Sequence, residues 1–147
     1  MISIKFPEPD FTIRQEGGQD LIFDKIRKKY IVLTPEEWVR QNFINYLVKG
    51  KNYPATLFAV EKEIHLGSMR KRCDIIVYNR HSAPWMIVEC KEMEVPVDEK
   101  TMEQILRYNM AMPVQYLVLT NGVHTYCVER KETEWKLLEE LPAYGDS

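Results

Sequence analysis

Two short apolar runs decide most of what this chain can become: Ile75-Ile76-Val77-Tyr78 and Met86-Ile87-Val88. Both are β-type, brief and rich in branched residues, so each reads as a strand. A polar group stands at the edge of each. Asp74 opens the first run, and Glu89-Cys90-Lys91 follows the second. Side chains alternate along a strand, so Glu89 and Lys91 share a face and Cys90 takes the other. Their Cα atoms should lie about 6.6–6.8 Å apart. An acid and an amine projecting together, beside a second acid on a neighbouring strand, can hold a divalent cation and a water. That arrangement suits phosphodiester hydrolysis.

The rest of the chain supplies a frame for these strands. Residues 1–20 contain Pro and Gly, show little pattern, and are expected to form an N-terminal arm. Leu21-Ile22-Phe23 and Tyr30-Ile31-Val32-Leu33 flank a basic turn, as in a β-hairpin. Thr34-Pro35-Glu36-Glu37 announces a helix over 35–49, with Thr34 as N-cap, Pro35 at the first position and Glu37 completing a capping box. Residues 57–66 alternate in their later half, as a strand does. A second helix is expected over 98–112, stopped by Pro113. Residues 115–120 form a buried strand, Asn121-Gly122 a hairpin turn, and 123–128 the returning strand. Trp135 to Leu141 is an ambiguous terminal element. The order predicts an α/β (α+β) domain over 21–147, a mixed β-sheet flanked by helices with an N-terminal hairpin.

Composition narrows the setting. The chain has 147 residues, 45% of them hydrophobic and 29% charged, which fits one globular domain with a real core. It contains no apolar run of the roughly 18 residues that a membrane span needs, and its start lacks an apolar signal core. Cys73, Cys90 and Cys127 are an odd set without zinc spacing, so a reducing cytoplasm and buried thiols are expected. Net charge is −2, which supplies no global pull toward nucleic acid. Basic charge is local, in Lys25-Ile26-Arg27-Lys28-Lys29 and Arg70-Lys71-Arg72. The first cluster reads as a solvated turn. The second runs straight into Asp74 and offers phosphate contacts.

Asp74 and Glu89 are the candidate carboxylate ligands, with the Cys90 carbonyl as a further oxygen. Mg²⁺, or Mn²⁺ in its place, needs only one or two carboxylates beside substrate phosphate and water. Lys91 would orient the attacking water and offset charge on the transferring phosphate. The same residues also make an ordinary surface Glu–Lys strand pair beside a strand-initiating Asp. Glu36, Glu37 and Gln41 on the first helix are secondary candidates, as is Glu63 on the strand before Asp74. Gln104 and Tyr108 sit at i and i+4 on the second helix, on one face, with Arg107 beside them. His65, His81 and His124 share no motif.

Taken in order, Thr34-Pro35-Glu36-Glu37 with Arg40-Gln41, Tyr53-Pro54, Glu61, Lys71-Arg72-Cys73-Asp74-Ile75, Val88-Glu89-Cys90-Lys91, Gln104 through Asn109, and Leu119 through Gly122 resemble the PD-(D/E)XK nuclease superfamily. The nearer likeness is to the N-terminal nuclease-like domain of type I restriction enzyme R subunits, in the small stand-alone form found in bacterial genomes. The likeness implies a restriction-endonuclease-like fold and a Mg²⁺-dependent DNA endonuclease. Its Asp falls on Asp74, its Glu-X-Lys on Glu89 and Lys91, its Gln-X-X-X-Tyr on Gln104 and Tyr108, and its helix-one acid on Glu37. Arg70, Lys71, Arg72 and Arg107 are then expected at the nucleic acid. Cys73 stands where Pro often precedes the Asp. The sequence carries no helicase motor or recognition domain, so restriction would call for partner subunits or a homodimer. The competing expectation is a non-catalytic module that binds nucleic acid or protein on the same fold.

Overall fold

The computed structural model describes residues 1–145; the last two residues of the expected 21–147 unit lie outside it. Among the described residues, nine strands form two sheets, accompanied by two α-helices. β1 (Ile13–Glu16), β2 (Gln19–Asp24) and β3 (Lys29–Val32) form a small antiparallel meander. β4 (Phe58–Leu66), β5 (Met69–Tyr78), β6 (Pro84–Cys90), β7 (Tyr116–Thr120), β8 (Thr125–Lys131) and β9 (Glu134–Leu137) form a six-stranded sheet in chain order. Only β6 and β7 run parallel, and helix α2 (Glu99–Tyr108) lies in the connection between them. A parallel pair needs such a crossover, whereas the antiparallel neighbours need only turns.

Alternation along the central strands gives the sheet two apolar faces. Ile75, Val77, Met86 and Val88 pack with Val39, Phe43 and Leu47 of helix α1 (Pro35–Asn45) and the π-helical turn that extends it, Tyr46–Gly50. Ile76, Ile87, Leu117 and Leu119 pack with Met102 of α2 on the other side. The sheet is thus the middle layer, covered on both faces, which is why its centre reads as continuous apolar runs.

Several expectations shift in detail. The segment 1–20 is no loose arm. Ile2 is buried and bridges Thr125, with its N–H donating to the Thr125 carbonyl at 2.8 Å. Phe6 packs edge-on against Phe43 and Tyr46. β1 turns the expected hairpin into three strands. α1 starts as expected, with the Thr34 hydroxyl accepting from Glu37 N–H at 3.0 Å. The reciprocal half of the capping box does not form, because the Glu37 carboxylate is taken by Arg27, Arg40 and Gln41. α2 ends at Tyr108, well before Pro113, where the Asn109 side chain donates to the Ile105 carbonyl at 2.8 Å and competes with further helix. β8 begins at Thr125, leaving a four-residue loop in which Asn121 Oδ1 accepts from the N–H groups of Val123 and His124.

All three cysteines are free and buried. Burial holds the Cys73 and Cys127 thiols up at about 12 and raises Cys90 well above the ordinary thiol range. Native protein is therefore expected to resist a disulfide-exchange reagent at pH 8, with all three thiols titrating in denaturant. Rapid labelling of one thiol in the folded state would contradict this burial.

Candidate active site

The site forms where β5 parts from β6. β5 pairs with β6 from Tyr78 down to Ile75↔Val88, and the ladder then stops. One step further along, Asp74 and Glu89 occupy facing positions. On the other edge of β5, the pairing with β4 skips a step between Val60↔Ile75 and Lys62↔Cys73, opposite Asp74. Glu61, at that step, has φ +51°, an uncommon conformation for a residue with a Cβ. Asp74 replaces the missing ladder bond with its side chain: Oδ2 accepts from Cys90 N–H at 2.7 Å. β6 meanwhile stays paired to β7 through Cys90↔Thr120, and Lys91 N–H donates to the Thr120 carbonyl at 2.8 Å. Asp74 and the Glu89-Cys90-Lys91 segment are thereby joined directly.

Each acid is drawn to a different cation. Asp74 Oδ1 lies 3.3 Å from Arg40 Nη2. Glu89 Oε1 lies 3.0 Å from Lys71 Nζ, both side chains being about 15% exposed. Burial raises the Glu89 pKa above the usual carboxylate range, and Lys71 opposes that rise. The Asp74 charge pushes it further up and Lys91 pulls it down, so Glu89 feels both of its expected partners.

The acid of helix α1 is the main revision. Glu37 is buried beneath the site, accepting from Arg40 Nη1 at 2.8 Å and from Arg27 Nη2 and Gln41 Nε2 at 3.0 Å. Three donors leave it the role of a hub that holds Arg40. Glu36, by contrast, has a side chain 47% exposed. Its pKa is raised first by partial burial and next by the Asp74 charge, with Arg40 and Lys91 acting against that. Glu36 is the first-turn acid that shares a field with Asp74 and Lys91. A cleft of about 440 Å³ opens beside it, lined by Leu33, Thr34, Pro35, Trp38 and by Glu92, Met93 and Glu94 just after Lys91.

Arg40 went unmarked as a site residue in the sequence. Its position in the series 40, 43, 44, 47 is the available signal: that spacing puts it in the buried stripe of α1, beside Phe43, Ile44 and Leu47. Arg27, expected in a solvated turn, is also turned inward and pairs with Asp24, Glu37 and Glu61.

The α2 candidates separate. Tyr108 is 68% exposed, and Lys71 Nζ lies 4.0 Å from its ring centre, so it reaches Glu89 through Lys71. Gln104 and Arg107 are exposed on the helix surface. Within the basic cluster, Lys71 faces Glu89, while Arg70 and Arg72 stay exposed beside Glu63 and Glu61. His65 pairs with Glu63 on the outer strand.

Among the described residues, no three His, Cys, Asp or Glu side chains converge as a ready metal cage. The donor chemistry still fits a hard cation. Two carboxylates offer about four lone-pair sites each. Asp74 uses one for Cys90 N–H and one toward Arg40, and Glu89 Oε1 is buried without a hydrogen-bond partner among the described residues.

The family model for the type I restriction enzyme R protein N terminus matches residues 35–142, well over half of the chain, with Asp74, Glu89 and Lys91 inside the match. The chain belongs to that family. No curated protein sequence matches it. Among the described residues, no helix is long and apolar enough to cross a membrane.

Proposed function

We propose that this domain is a Mg²⁺-dependent nuclease of the PD-(D/E)XK type that hydrolyses DNA phosphodiester bonds within a restriction system. The observation that supports it most is the direct bond between Asp74 and the Glu89-Cys90-Lys91 segment at the point where β5 parts from β6, in a chain of the restriction R family. Asp74, Glu89 and the Cys90 carbonyl would hold the metal. Bound Mg²⁺ would polarise the phosphate and lower the pKa of its water. Lys91 would orient that water by hydrogen bonding and balance charge gathering on the phosphate. Glu36 adds an acid on the cleft side. Arg40 fixes Asp74 from beneath. Partner subunits or a second copy would bring substrate choice.

One observation favours a second reading. Arg40 and Lys71 neutralise the two acids within the protein itself, so the set would also hold a binding module together without catalysis. Incubation of supercoiled plasmid with the protein in Mg²⁺, Mn²⁺ or EDTA separates the two. Nicking that EDTA stops is expected; no nicking with any metal favours the module.

Arg70 and Arg72, exposed on either side of Lys71 on β5, are the proposed phosphate contacts. Changing both to Ala should reduce the log–log salt slope of DNA binding by about 1.8, at about 0.9 per contact. Equal slopes would remove them from the interface.

A further inference from the structure

Asp74 and Glu89 each face a cation of the protein's own, and the two cations are held very differently. Arg40 is 2% exposed and gripped from behind by Glu37 at 2.8 Å and Glu61 at 3.2 Å. Its planar fork has no room to swing. Lys71 carries a compact ammonium on a four-carbon stem with free torsions. That ammonium is 3.0 Å from Glu89 Oε1, yet the oxygen lacks a well-directed hydrogen bond among the described residues. The pair is held mainly by charge at 3.0 Å.

On its other side, the Lys71 ammonium is 4.0 Å from the centre of the Tyr108 ring. A ring face attracts an ammonium without accepting its charge. Tyr108 is largely exposed, and Arg70 flanks Lys71 on the same surface cavity, together with Met69 and Met112. An ammonium leaving Glu89 keeps an attractive surface and moves toward the side where phosphate would approach.

We propose that Lys71 is a displaceable counter-ion that sets the divalent-cation affinity of Glu89. It rests on the metal reading given above. The ammonium and a divalent cation compete for the same carboxylate. A DNA phosphate that draws the ammonium away relieves that competition, so DNA and metal favour each other's binding. Linkage makes the effect reciprocal. Lys71 is a positioning residue in this scheme and touches neither water nor scissile bond.

The test is calorimetric titration with Mn²⁺ alone, all proteins in one buffer at pH 8. Wild type is compared with Lys71→Met, Lys71→Gln and Lys71→Arg, each first checked for folding by near-UV circular dichroism. Losing a like charge beside the ligand should tighten Mn²⁺ binding by about tenfold in Met or Gln, a partly screened Coulomb effect. Lys71→Arg keeps the charge and should stay within about twofold of wild type. A non-cleavable phosphorothioate duplex should tighten Mn²⁺ binding more in wild type than in Lys71→Gln. Neutral variants that bind Mn²⁺ no tighter than wild type, while wild type binds it, overturn this inference alone. No Mn²⁺ binding by any of the four proteins overturns the metal reading and this inference with it.

Discussion

Replacing Arg40 with methionine will cost the fold about 3 kcal/mol, the lower end of what a broken buried ion pair costs. Arg40 is 2% exposed and bridges Glu37, Glu61 and Asp74 at 2.8, 3.2 and 3.3 Å. Its loss leaves the buried Glu37 carboxylate with Arg27 and Gln41 alone, and Asp74 with only the Cys90 N–H. Those remaining partners are why the low end of the range applies. A further offset is that Arg40 Nε is already buried without a partner among the described residues, so its removal relieves one unsatisfied donor. Lysine will not restore the wild-type stability, because one ammonium cannot reproduce a fork set among four acids, Glu36 included at 3.9 Å. Urea unfolding measures this directly: the midpoint should fall while the slope with denaturant stays constant. A loss under about 1 kcal/mol would mean that the network is no stronger than a surface pair.

The residues proposed for the chemistry are the ones that local pattern marks. Asp74, Glu89 and Lys91 stand at the ends of apolar strands, a local pattern that an ordinary surface Glu–Lys pair beside a strand-initiating Asp would share. The N-cap at Thr34 is equally local and was readable for that reason. What escaped depends on contacts distant in sequence. β1 has all four residues exposed, so no burial pattern marks it as a strand. Arg27 and Arg40 look like solvated charges until Glu37 and Glu61 are brought to them from other elements. Lys71 looks like a phosphate contact until β5 lays it beside Glu89. Choosing between Glu36 and Glu37 needed the rotation of α1 against the sheet, which neighbouring positions in a capping box cannot give. Buried ion pairs between distant elements leave little trace in a single sequence, because each partner alone is compatible with the surface.

The second large effect separates chemistry from binding. Lys91→Ala should lower plasmid nicking by at least about a hundredfold, the scale of losing one group that acts on transition-state charge. It should leave cation binding in place, since Lys91 is assigned to the water and not to the metal. Asp74→Ala should lose both, because it removes one of the two proposed carboxylate ligands and the acceptor of the Cys90 N–H. Asp74 has a side chain only 20% exposed, so its variant needs a folding check that Lys91→Ala, at a half-buried position, needs less. Glu36→Gln should weaken nicking without the loss of stability expected for Glu37→Gln, which breaks into the Arg40 hub.

The measurement that bears most directly on the central claim is paired: Mn²⁺ titration calorimetry and plasmid nicking on wild type and Lys91→Ala under one buffer. Wild type should nick only with metal, the two proteins should bind Mn²⁺ with equal affinity, and the variant should nick at least about a hundredfold less. Equal nicking by Lys91→Ala and wild type would contradict that claim.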